Sequence, residues 1–102
     1  MEKVFLDEFI NEIELLSKSR KYEDYVEDSS GIYQKCIVLE HLVSEARELV
    51  SYGEYKIALE NILDNLHEVS ITLDKKIIAL ARKAIGEKVT ADMEVLLKVI
   101  TK

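Results

Sequence analysis

Apolar residues recur along this chain at every third or fourth position, and the recurrence is interrupted near Gly31, Gly53 and Gly86. That period is helical, and the glycines punctuate it. Phe5, Phe9, Ile13 and Leu16, with Leu6 and Ile10 beside them, predict a first helix from about Glu2 to Ser19, whose Glu8, Glu12 and Lys18 fall away from the stripe. Residues 20–31 break the pattern: four acids and two tyrosines lie between Tyr22 and Asp28, with room for a helical turn, and the run ends in Ser-Ser-Gly, a loop signal. A second helix is expected from about Ile32 to Val50, burying Ile32, Cys36, Leu39, Val43 and Ala46, with Ile37, Leu42, Leu49 and Val50 widening the stripe. Ser51-Tyr52-Gly53 ends it, because glycine accepts a left-handed backbone. A third helix, about Glu54 to His67, carries Tyr55, Leu59, Ile62 and Leu66 with Ala58 and Leu63, and Glu54 suits its positive end. Thr72 is the expected cap of a fourth helix bearing Ile77, Ile78, Ala81, Ala84 and Ile85, with Asp74 in its first turn. Thr90 is the expected cap of a last helix bearing Met93, Leu96, Leu97 and Ile100.

Short connections between amphipathic helices force the stripes to bury one another. The expectation is therefore an all-α fold, a single domain over residues 1–102 built as an antiparallel bundle of four to five helices. Composition agrees: the 102 residues include no proline and three glycines, and 48% are apolar, which supports a core and argues against disorder.

Charge narrows the partners. Net charge is −6, but residues 1–68 carry 16 acids and 7 bases, whereas residues 69–102 carry 4 acids and 7 bases. Nucleic acid is a poor partner for such a surface, and a basic protein is a good one. The acidic start, Met-Glu-Lys followed by Asp7 and Glu8, does not read as a secretory signal, and no segment approaches the ~20 apolar residues of a membrane span. Cys36 is the only cysteine, so no intrachain disulfide forms, and a reducing cytoplasm is the expected compartment.

Catalytic signals are weak. Asp64 and His67 stand three apart, but a di-iron bundle needs a second such pair on another helix, and none is present. Cys36 lies in the apolar register of its helix and reads as a buried structural thiol rather than a nucleophile. There is no phosphate loop, dinucleotide glycine pattern or serine elbow. No enzyme, metal or cofactor is expected. Lys75-Lys76 and Arg82-Lys83 on the fourth helix read as a polar face balancing the acids elsewhere, rather than as a phosphate site.

The third helix is where local rules are broken. After Lys56 it has no base, and its outer face collects Glu60, Asn61, Asp64, Asn65 and Glu68. Asn and Asp compete with the backbone for hydrogen bonds and suit a helix interior poorly. Their presence marks the face as a candidate surface for a basic partner; the alternative is that Glu60 and Asn61 cap or brace a neighbouring loop inside the bundle. The run from Tyr22 adds candidate anchors in Tyr22 and Tyr25, joined by Tyr52, with Glu23, Asp24, Glu27 and Asp28 as an outer acidic ring.

The segment GEYKIALENILDNLHE followed by VSITLDKKIIALARKAIGEK resembles the MafI-type immunity proteins. The features that carry the resemblance are Gly53-Glu54-Tyr55, Ala58-Leu59-Glu60-Asn61, Asp64-Asn65-Leu66, Glu68, and then Ile71 and Asp74 with the helix to Gly86. Residues 1–50 match only in length and helical character. Members of that family are encoded beside polymorphic secreted toxins and neutralise them inside the producing cell. The likeness extends to immunity proteins of contact-dependent growth inhibition systems. The resemblance implies a cognate toxin domain as partner, often a ribonuclease and including the EndoU type.

Two functions of different class are therefore expected from the sequence. One is a cytoplasmic immunity protein whose acidic helical face occupies the basic cleft of a toxin domain such as a nuclease, or blocks a neighbouring surface of it. The other is a non-catalytic regulatory or adaptor bundle that acts by homodimerising through an apolar stripe.

Overall fold

The computed structural model describes residues 1–19, 22–28 and 31–102, apart from the side chains of Val26 and Asp28. Its elements are α1 (Lys3–Ser17), β1 (Tyr25–Asp28), β2 (Gly31–Gln34), α2 (Lys35–Ser51), α3 (Tyr55–Glu68), α4 (Lys75–Ile85) and α5 (Ala91–Val99). The architecture is all-α, as the apolar period requires, with one small hairpin added.

Each helix turns its stripe inward. Leu6, Phe9, Ile10 and Ile13 of α1 are buried against Leu39, Leu42, Val43 and Ala46 of α2 and the α4 stripe. On α3 the buried set is Ala58, Leu59, Ile62, Leu63 and Leu66, with Tyr55 half-buried at the edge. α1 packs along both α2 and α4, while α3 packs on α2 and touches α5. Burial of each such leucine, isoleucine, valine or phenylalanine stabilises the fold by about 1.5–3 kcal/mol before chain entropy is charged against it. Ile71 and Leu73 extend the same core through the α3–α4 connection. Leu73 donates its N–H to the Ile100 carbonyl at 2.7 Å and accepts from the Lys102 N–H at 2.9 Å, which ties that connection to the segment after α5.

The helix ends follow backbone chemistry. Thr90 caps α5 by accepting the Met93 N–H at 3.2 Å, as its position predicts. The start of α4 differs from expectation. Asp74, not Thr72, is the boundary residue, and Lys75 opens the helix. Thr72 lies two residues too early because Leu73 is still extended and bonded to the C-terminal segment. Gly86 ends α4 at φ 76° and ψ −143°, a region open essentially only to glycine.

The largest departure lies between residues 25 and 34. β1 and β2 pair antiparallel, with Tyr25 opposite Gln34, Val26 opposite Tyr33 and Glu27 opposite Ile32. Ile32 therefore belongs to a strand, is 65% exposed, and contributes nothing to a buried helical stripe. The second helix begins three residues later than its apolar period suggests. Ile37 is also exposed, and Cys36 is half-buried rather than sealed in the core. Tyr25, Val26, Ile32 and Tyr33 are residue types that fit a pleated surface, and pairing across the hairpin overrides the helical phase.

Candidate functional site

α3 presents a polar face because its buried positions occupy a single arc. Residues 60, 64 and 68 recur one turn apart on the opposite arc, and 61 and 65 lie on the flank beside α2. Asp64 and Glu68 are exposed and, among the described residues, have no ion-pair partner. Glu60 is half-buried, with its carboxylate 3.7 Å from Lys56 one turn back.

The two asparagines of this face do something different. Asn65 Nδ2 donates to the Asn61 carbonyl at 2.7 Å and lies 3.1 Å from the Asn61 Oδ1. Asn61 Nδ2 in turn donates to Glu45 Oε2 on α2 at 3.1 Å. The amides form a chain that runs across the seam between two helices. This is the bracing role open to Asn61 in the sequence, and its partner is α2 rather than a loop.

Glu45 is the pivot of a shallow groove along that seam. One end, about 460 Å³, is lined by Tyr33, Ile37, Val38, His41, Leu42, Glu45 and Asn65. The other, about 310 Å³, is lined by Glu45, Glu48, Leu49, Tyr52, Ile57 and Asn61. Large apolar side chains stand open at both ends: Ile37 is 53% exposed, Ile57 51% and Tyr52 75%. The surface therefore combines carboxylates on its walls and rim with apolar side chains at its ends. Among the lining residues the sole basic group is His41, 3.8 Å from Glu45.

The acidic run is divided by the hairpin. Tyr25 is 66% exposed, and Glu23 and Glu27 are exposed. Asp24 Oδ2 lies 2.9 Å from Lys35 Nζ, and that hydrogen bond holds the Asp24 carboxyl below its usual proton affinity. The side chain of Asp28 lies outside the described residues; its backbone ends β1. Tyr22 is half-buried, and its hydroxyl donates to the Thr72 carbonyl at 3.3 Å. That contact spends the polar tip of Tyr22 on holding the segment to the α3–α4 connection. Tyr33 of β2 lines the groove with Asn65, so the hairpin abuts one end of the α3 face.

Glu45, Glu48, Ile37, Ile57 and Tyr33 are candidate residues that the sequence reading did not assign to this surface. Ile57 carried a usable signal, since it is an isoleucine outside the α3 stripe. Glu45 and Glu48 stand three apart on one face of α2, but nothing local says which helix faces them.

The rest of the chemistry is plainer. Arg82 meets both Glu94 oxygens at 2.8 Å, and Lys83 Nζ sits 5.5 Å from the centre of the Phe5 ring. Both bases have partners in the protein, although Lys83 is exposed, as are Lys75 and Lys76. Asp64 and His67 are both exposed, and no group of three or more metal-ligating side chains gathers among the described residues. No helix among those residues is long and apolar enough to cross a membrane. Comparison with family models, curated proteins and solved structures finds no match to the chain.

Proposed function

We propose that this chain is an immunity-type inhibitor that binds and neutralises a cognate toxin domain in the cytoplasm through the acidic α3 face and its seam with α2. One observation carries the reading. Asp64 and Glu68 stand exposed, without ion-pair partners among the described residues, beside a groove walled by Glu45 and Glu48, and apolar Ile37, Tyr52 and Ile57 open onto the same side. A ribonuclease binds a polyanion through a basic cleft. A folded surface with carboxylates at its rim can occupy such a cleft, with the exposed apolar side chains supplying the desolvated anchors that tight binding needs. The resemblance of residues 53–86 to MafI-type immunity proteins supports the same assignment, and inhibition of this kind needs no catalytic residue in the inhibitor.

The competing adaptor reading requires self-association. A two-fold dimer through this face would set the Glu45, Glu48, Asp64 and Glu68 carboxylates against their own copies, which opposes docking. The face suits an unlike partner better than itself.

The test is co-expression with the product of the gene immediately upstream, which the proposal takes to carry the toxin domain. Cells carrying both genes are expected to grow, and cells carrying the toxin with the Asp64→Lys/Glu68→Lys variant to lose most of that protection. A wild-type chain that gives no protection and purifies as a stable homodimer would replace this reading with the adaptor.

A further inference from the structure

Beyond the general acidity of the face, the groove between α2 and α3 has the form of a seat for one kind of element. We propose that it receives a basic amphipathic helix of the partner, which rests along the seam with apolar side chains at its two ends and lysine or arginine between them. The proposal deepens the inhibitor reading and rests on it for the partner's basic character.

Three observations select this occupant. The first is shape. Two helices packed side by side leave a valley between their outer surfaces, and a third helix fits such a valley by setting its ridge of side chains into it. The second is backbone chemistry. Between the hairpin end and Tyr52 both walls are helices whose N–H and C=O groups bond internally. An extended segment would find no ladder of backbone partners there, whereas a helix brings its own bonds already made. The third is the order of charge and apolar surface along the seam. Ile37 stands at one end and Tyr52 with Ile57 at the other, and Glu45 lies between them with Glu48 beyond it. From residue 37 to residue 52 is about 22 Å along α2, four turns of a docked helix. Carboxylates in the middle call for cations in the middle. A second copy of this chain does not fit, because its own α2–α3 face carries the same charges.

The probe is a synthetic peptide of about eighteen residues, long enough for partial helix, with leucines at helical spacing and lysines on the flanks. Two controls accompany it: the same composition with a central proline, and a version with glutamate in place of lysine. Amide chemical shifts of the full chain are followed during titration. The expected result is saturable shifts at Tyr33, Ile37, Glu45, Ile57 and Asn61, weakened roughly tenfold by Ile37→Asp or Ile57→Asp, the scale of losing one anchor. Both isoleucines are more than half exposed, so the variants should fold. The proline and glutamate peptides are expected to bind at least tenfold more weakly. Equal binding by the proline peptide would overturn the helical occupant. Shifts concentrated on α4, or insensitivity to both isoleucine variants, would overturn the groove. If the peptide fails while Asp64→Lys/Glu68→Lys still abolishes toxin protection, the helical seat falls and the inhibitor reading stands. If the peptide binds as described and the upstream toxin is not neutralised, the seat stands and the inhibitor reading falls.

Discussion

The Glu94 carboxyl binds its proton more weakly than an ordinary glutamate because the Arg82 guanidinium donates to both of its oxygens at 2.8 Å. Through a contact to one oxygen each, Arg47 lowers the proton affinity of Glu14 and Lys35 that of Asp24. The sign of the consequence is fixed. A carboxyl whose proton affinity is lower in the folded state adds stability above its unfolded value, near 4.5 for Glu94 and Glu14 and 3.8 for Asp24. That stability is lost as pH falls through the still lower folded value. These pairs are solvent-facing, so the effect is modest. The thermal midpoint is therefore expected to be nearly flat from about pH 7 to pH 5 and to fall in stronger acid. Glu94→Gln should lower the midpoint at neutral pH, and the gap to wild type should narrow below the ordinary glutamate value of 4.5 and close once pH has fallen past the lowered folded value. A gap that stays constant with pH would remove the ion pair from the account.

Ser70 makes a second residue-scale case. It stops α3 at φ 58°, a left-handed conformation that costs a side-chain-bearing residue about 1 kcal/mol. Ser70→Gly is expected to raise stability by roughly 0.5–1 kcal/mol in denaturant unfolding. A lower midpoint with an unchanged slope would show that the serine is held there by something other than backbone geometry.

At the scale of elements, α3 carries the conflict between folding and surface. Asn61 and Asn65 weaken it as a helix and link it to Glu45 of α2. Replacing Asn61 by alanine improves helix propensity and removes the exposed hydrogen bond to Glu45 and the shared contact from Asn65, which keeps its bond to the residue 61 carbonyl; gain and loss are of similar size and opposite sign. The expected change in unfolding free energy is within about 0.5 kcal/mol of zero. A loss well above 1 kcal/mol, a full hydrogen bond's worth, would make Asn61 a brace of the bundle first and a surface residue second.

Much of the element structure was legible because it is local. The stripes through Phe9 and Ile13, Leu39 and Val43, and Leu59 and Ile62 follow from helical period alone, and all six residues are buried. The hairpin was not legible. Its strands are four residues each, Tyr-Val-Glu-Asp shows no clean apolar alternation, and Ile32 falls in phase with the helix that follows. Strand pairing is decided by a neighbour across the turn, which no local window records. The groove was hidden for a related reason. Period shows which side of α2 and of α3 is buried, but not that Glu45 on one faces Asn61 and Asn65 on the other. The α3 face itself could be read, because Asp64 and Glu68 oppose the stripe on their own helix.

At the scale of the whole molecule, the organising fact is separation of charge. The first two-thirds of the chain is acidic, the last third is mildly basic, and two bases of α4 are engaged with Glu94 and the Phe5 ring. The carboxylates of α2 and α3 are part of that acidic two-thirds, and in the proposed role they would speed encounter with a cation-bearing surface, an effect that salt weakens. The most direct measurement is the association rate of this chain with the proposed cognate toxin domain, for wild type and for Asp64→Lys/Glu68→Lys, at low and at physiological ionic strength. The account predicts a wild-type rate that falls steeply with salt and a variant rate roughly tenfold slower at low salt, with the variant's helical content and melting midpoint unchanged. Equal rates for the two proteins, both folded and both indifferent to salt, would contradict it.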